Sequence, residues 1–422
     1  MEHDLVLEGR VVGPVEVQEL EVGVTDGMIA EVRRQGVKGS RRVKAGRCLI
    51  FPGFVDAHVH MREPGWEEKE DFRTGSRAAL HGGVTTVADM PNNRIPTTTR
   101  EALLEKRRLS AKSLVDVKLY AGVVGKQPIP EVAGIASGYK AYLARSTGGL
   151  IFPAGRLGEL YSAAARSGLP VSLHCEDQAT IDLMESKLSG VERADLYSDL
   201  RPVEAEVESV RTAISGLGEG TSARVNVCHA SSEGAVDAVL QARARGLRVS
   251  CEAALHHLFF NREAMKRNGL LKTNPPLREE VDREAIVDGL KTGKVSFLVT
   301  DHAPHGREEK EELGLAGVPG LDDYGHLVSW LLRDQGVDPV TLCRAAAASP
   351  AEFLGLSDRG RVEVGMRGDF AILDPASPEK VKSEDLQTKC GWSPYEGYEF
   401  PGRVKWTIRG GEPLLSGYEL VS

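Results

Sequence analysis

Two histidines one residue apart, His58 and His60 in FVDAHVHMREPG, raise the question of what chemistry this chain performs. Side chains on a β-strand repeat every two residues, so both imidazoles leave one face roughly 6.5 Å apart, a spacing one metal ion can bridge. Other apolar runs also end in groups that bind a cation or move a proton: His174 in LPVSLHCE, His229 in ARVNVCHAS, Asp301 in VSFLVTDHAP, and Lys140 within SGYKAYL. Taken singly, a strand-end histidine is most often a satisfied polar group, Lys140 a snorkelling cation and Asp301 a helix cap. Their shared position at the ends of separate strands is what points to a site.

Four imidazoles and one carboxylate nearly complete two metal positions, but two adjacent cations need an anionic bridge. No Asp or Glu stands near the end of the fourth run. Carboxylation by carbon dioxide would turn the Lys140 cation into an anion with two oxygens, and Lys140 is placed for that bridge.

Something must hold these residues together. After Pro52, eight short apolar runs alternate with helical stretches: GFVDAHVH, VTTVADMPN, DVKLYAGV, SGYKAYL, LPVSLHCE, ARVNVCHAS, LRVSCEAA and VSFLVTDHAP. Between them, EDFRTGSRAALHGG ends in a glycine pair, and SSEGAVDAVLQARARG carries a serine cap and a terminal glycine. Eight such units predict an α/β fold, a (β/α)8 TIM-type barrel over residues 51–356, with its active site at the C-terminal strand ends. Residues 1–50 read as strands broken by turns, Asp26-Gly27 being a hairpin signal. Residues 357–422 return to strands, so both chain ends are expected to build one small β-sandwich domain.

A net charge of -8 over 422 residues, with Lys and Arg dispersed, offers no basic stripe for nucleic acid. No apolar run reaches spanning length and the N-terminus lacks a signal pattern, so a cytoplasmic protein with no membrane contact is expected. Six scattered cysteines without a C-x-x-C pair read as reduced and mostly buried.

The ordered set DAHVHMREPG, DMPN, GYKAYLARSTGG, HCED, HASS, TNPPLR and TDHAPH resembles the dihydroorotases, cyclic amidohydrolases of the amidohydrolase superfamily, across essentially the whole barrel. The resemblance implies two Zn2+ per subunit: one on His58, His60 and Asp301, one on His174 and His229, with N6-carboxylated Lys140 bridging them. It further implies a hydroxide nucleophile, Asp301 as catalytic acid and base, and reversible cyclisation of N-carbamoyl-L-aspartate to dihydroorotate in pyrimidine synthesis. Arg62 then reads the substrate carboxylate through its planar fork. Asn92 resembles a second carboxylate contact, Asn274 a contact to the ring amide, and His305 a further contact, while backbone at Pro319 and Gly320 completes the pocket. Expected partners are this small-molecule substrate, a second copy of the chain as a homodimer, and aspartate carbamoyltransferase.

Allantoinases and hydantoinases or dihydropyrimidinases share the metal residues and form the alternative, which Arg62 with Asn274 discriminates. A catalytically dead scaffold would be expected to lose metal ligands, and none is missing here. Asp56 and Glu63 are candidates to orient the metal-binding imidazoles. His256 and His257 read as structural, while His3, His81, His302 and His326 receive no role. Asn93, Ala254 and the segment GLDD depart from the family pattern, which bears on the pocket rather than on the ligands.

Overall fold

A computed structural model describes residues 2–188, 196–218 and 220–421. The chain opens with strands β1 (His3–Val12), β2 (Val17–Thr25), β3 (Met28–Arg33) and β4 (Gly39–Pro52). Asp26 and Gly27, with φ of 51° and 75°, form the left-handed turn from β2 to β3, as the Asp-Gly pair requires.

Eight parallel strands follow in sequential order: β5 (Phe54–Val59), β6 (Val84–Asp89), β7 (Asp116–Gly122), β8 (Gly138–Tyr142), β9 (Val171–His174), β10 (Val225–Val227), β11 (Val249–Ala254) and β12 (Phe297–Val299). Each falls within one of the eight apolar runs. Helices cover their outer faces, so the strands are buried on both sides and read as continuous apolar stretches. The sheet closes where Val59 bridges His302 in parallel and the His60 N–H donates to the His302 carbonyl at 2.8 Å. Asp56 ties the same seam, accepting from the Thr300 N–H at 3.2 Å and from its hydroxyl at 2.5 Å. Burial pushes the Asp56 carboxyl up to about 8.

The remaining strands are β13 (Phe370–Asp374), the ribbon β14 (Glu379–Lys380) with β15 (Glu399–Phe400), β16 (Arg403–Arg409), β17 (Glu412–Ser416) and β18 (Glu419–Leu420). Strand β13 lies antiparallel between β4 and β16, so both chain ends share one eight-stranded sheet. Leu5, Leu7, Val22, Ile50, Phe370 and Ile372 pack in its own apolar cluster.

Two helices bear directly on the site. Helix α1 (Phe72–His81) starts at Asp71, whose carboxylate accepts from the N–H groups of Arg73 and Thr74, and stops at the glycine pair. Helix α2 (Arg100–Leu109) is capped by Thr99 and buries Leu103 and Lys106. All six cysteines are free, and five are buried. Among the described residues no helix is long and apolar enough to cross a membrane.

Candidate metal centre and substrate pocket

His58, His60, Arg62, Asn92, His174, His229, Asn274 and Asp301 line one cavity at the C-terminal strand ends, together with Tyr142 and the 316–317 backbone. His60 is tied at Nδ1 to Asn92 Oδ1, 2.7 Å away, and its Nε2 lies 3.0 Å from Asp301 Oδ1. Burial lowers the His60 imidazole to about 3, so it is neutral. With Nδ1–H given to Asn92, Nε2 carries a lone pair. His58 repeats the arrangement: Nδ1 is bonded to Glu252, and Nε2 stands 3.3 Å from the same Asp301 oxygen.

A lone pair facing a carboxylate is an acceptor facing an acceptor, which a cation between them relieves. The ligand atoms of His58, His60 and Asp301 lie within 4.8 Å of one another. Separations of 3.0 and 3.3 Å match the edge of a polyhedron with bonds of roughly 2.0–2.1 Å. These three residues therefore fit a divalent metal ion.

A second convergence lies beside the first. His174 Nδ1 is 3.1 Å from His229 Nε2, while His174 Nε2 donates to Glu176 at 2.8 Å. Arg201 holds Glu176 with two bonds, of 2.9 and 2.5 Å. The remaining nitrogen of His229, Nδ1, is buried without a partner. Lys140 is fully buried behind the cavity wall, with Nζ 2.9 Å from Cys228 Sγ and 5.0 Å from the Tyr142 ring centroid. Among the described residues it has no carboxylate partner, an unfavourable setting for an ammonium.

Backbone strain gathers here. Among the described non-glycine residues, φ is positive at Arg62 (61°), His229 (38°) and Asp301 (48°), and elsewhere only at Asp26 and Tyr418. Each such residue costs on the order of 1–3 kcal/mol unless its surroundings impose the conformation.

The model of the Amidohydrolase family matches residues 49–414. The chain belongs to the amidohydrolase family. It is 34% identical to a dihydroorotase of Thermococcus kodakarensis over 99% of this chain and 96% of that protein. It is 33% identical to an allantoinase of Rubrobacter xylanophilus over the same shares. Among solved structures, an L-hydantoinase (dihydropyrimidinase) from Arthrobacter aurescens superposes with a TM-score of 0.94, at 26% identity, covering 100% of this chain and 98% of the other.

In this amidohydrolase the Arg62 side chain is 1% exposed. Its Nε donates to the Pro304 carbonyl at 2.9 Å and one terminal nitrogen faces His305 Nε2 at 3.1 Å. Burial lowers its pKa to about 10, which leaves it charged at neutral pH. Within 4.0 Å no carboxylate of the described residues meets it. Asn92 spends its amide on His60 and on the Thr147 carbonyl, 3.1 Å away, so it orients a histidine from inside the cavity. Asn274 accepts from the Tyr197 hydroxyl.

Three expected substrate contacts are not among the residues that line this cavity. His305 is absent from the cavity lining and backs Arg62, its other nitrogen 3.2 Å from Lys69 Nζ. Burial and these neighbouring cations keep it neutral. Pro319 and Gly320 also lie outside the lining, which Ala316 and Gly317 supply instead. The Gly320 N–H donates to His302 Nδ1 at 3.1 Å.

The residues that orient the imidazoles also differ from expectation. Asp56 accepts from the His58 backbone N–H at 3.2 Å, not from its ring, and Glu63 accepts from the Phe72 N–H and pairs with Lys112 at 2.9 Å. Glu252 and Glu176 take that role. Glu252, fully buried, also accepts from Asn226 at 2.6 Å and from the His229 N–H at 3.2 Å. A signal was present, because a carboxylate inside the apolar run VSCEAA requires buried donors. His256 and His257 lie outside the lining, and His257 Nε2 donates to the Pro275 carbonyl at 3.0 Å.

Proposed function

We propose that this hydrolase is a dihydroorotase, closing N-carbamoyl-L-aspartate to dihydroorotate and reopening it. The observation that carries the reading is Arg62, a buried guanidinium at the cavity with no described carboxylate to neutralise it. Leaving such a charge unpaired is unfavourable, and a substrate carboxylate held in its fork removes the penalty. Allantoin and simple hydantoins, the ring classes suggested by the other relatives' names, carry no carboxylate and would leave it unpaired.

His58, His60 and Asp301 would hold one zinc ion and His174 and His229 a second, with Lys140, once carboxylated, supplying the anionic ligand the pair would need. Bound there, the metals would lower the pKa of a water and polarise the carbonyl under attack. The protein's own groups do the rest. Glu252, Asn92 and Glu176 fix which nitrogen of His58, His60 and His174 faces inward. Asp301, ionised, accepts the proton of the attacking water and returns it to the departing ring nitrogen. Arg62 orients the ring through its carboxylate. The seam from Asp56 to Thr300 holds the strand end that presents Asp301.

Initial rates with dihydroorotate, carbamoyl-aspartate, allantoin and dihydrouracil, measured side by side on zinc-loaded protein, test the reading. Dihydroorotate and carbamoyl-aspartate should dominate. A higher kcat/KM for allantoin or dihydrouracil would replace this reading with the alternative.

A further inference from the structure

The Arg62 side chain is held by Pro304 and His305, and its backbone is held separately. The residue is the centre of a tight left-handed turn, with the Glu63 N–H donating to the Met61 carbonyl at 2.7 Å and φ of 61°. A non-glycine residue stays in that conformation only when its neighbours impose it. The residues on either side are tied down. The Met61 N–H donates to Asp89 Oδ1 at 2.8 Å, and the Glu63 carbonyl accepts from Asn93 Nδ2 at 2.8 Å.

The two anchors meet at one cation. Lys106 of α2, wholly buried, places Nζ 2.7 Å from Asp89 Oδ2, 2.7 Å from Asn93 Oδ1 and 2.7 Å from the Met90 carbonyl. Two of these contacts are hydrogen bonds, to Asn93 and the Met90 carbonyl, and the third is an ion pair with Asp89. Asn93 is also one of the positions where this sequence departs from the family pattern.

We infer that Lys106, through Asp89 and Asn93, is a positioning residue for substrate specificity, holding the Arg62 turn so that the guanidinium meets an anionic ring substituent. A buried ion pair adds little stability over apolar side chains of equal volume, so its effect is geometric. Both of its anchors grip the residues on either side of Arg62. The inference rests on the reading of Arg62 as the carboxylate contact.

The test is a set of variants in the zinc-loaded enzyme: Arg62→Met, Asn93→Ala, Lys106→Met and the double variant Arg62→Met/Asn93→Ala. KM and kcat for dihydroorotate are measured with zinc content and melting temperature. Asn93→Ala leaves the Lys106–Asp89 pair intact and covers the case in which Lys106→Met fails to fold. Asn93→Ala and Lys106→Met should raise KM by about tenfold, the equivalent of one good hydrogen bond, with kcat within about twofold. A merely destabilised enzyme would lose kcat and keep KM. Because the effect passes through Arg62, Asn93→Ala should add nothing to Arg62→Met. Raised KM in Arg62→Met beside unchanged KM in both network variants, or additive effects in the double variant, overturns this inference alone. Unchanged KM in Arg62→Met removes the carboxylate reading and the inference with it.

Discussion

Asp301 Oδ1 stands 3.0 Å from Nε2 of His60, a carboxylate oxygen against an imidazole lone pair. A cation between them makes that contact favourable, and the same oxygen belongs to a carboxylate that lines the cavity. Asp301→Asn keeps the shape and removes the base. Turnover should fall by roughly 10²–10⁴-fold, while part of the bound metal survives in metal analysis of the purified variant. Near-normal turnover would sink the role given to Asp301.

Glu252 reaches His58 Nδ1 from a strand 194 positions away in sequence. Replacing it by Gln keeps the volume and weakens the hold on the ring's tautomer. Metal affinity, read by chelator competition, should drop by roughly 10–100-fold with the circular dichroism spectrum unchanged. Affinity equal to that of the unmodified protein would remove Glu252 from the site.

Lys140 has a thiol, not a carboxylate, beside its amine. Lys140→Ala should lose bridged metal and nearly all activity, and millimolar acetate should restore a fraction by occupying the vacated space. A carbamate resonance after labelled bicarbonate is the direct observation. An unmodified Lys140 in a fully loaded, active enzyme would rule out this bridge.

The Tyr142 hydroxyl is buried at the cavity without a partner. Burial raises its pKa well above the phenol value, so it remains a donor. Tyr142→Phe deletes only that unsatisfied group, so the melting temperature should hold or rise. If the hydroxyl serves the reaction, kcat falls by roughly 10²-fold. A lower melting temperature with unchanged kcat would make Tyr142 a packing residue.

His326 sets a pH dependence of stability far from the metal ligands. Burial by itself lowers an imidazole's pKa, but the carboxylate of Asp323, 3.4 Å away, and the hydrogen bond to Glu379 at 2.8 Å outweigh it and raise His326 to about 9. The unfolded value is about 6.5. A raised folded pKa means stabilisation that is complete below about pH 6.5 and lost as pH climbs to about 9, on the order of 3 kcal/mol in all. Denaturant unfolding of His326→Gln should show a flatter profile across that window. Identical slopes in the two proteins would refute the assignment.

Much of this was legible in the chain itself. The period of apolar runs, the glycine pair after the first helical stretch and the serine cap at Ser232 are local, and so the eight strands and their helices could be read residue by residue. The strand-end rule then brought His58, His60, His174, His229 and Asp301 to one face, because a barrel presents its strand ends together. Tertiary structure alone decided what each ring nitrogen touches. Glu252 and Glu176 became partners of His58 and His174, and Asp56 became a seam residue, because these choices depend on which side chains cross the barrel floor. The same holds for Gly320: the family resemblance implied a backbone contact to the substrate, while the folded chain sets the His302 ring against its N–H. Sequence spacing carries the direction of a side chain along its own strand. It carries no information on distances between strands, which close only when the sheet curls, and hydrogen bonds are decided at that scale.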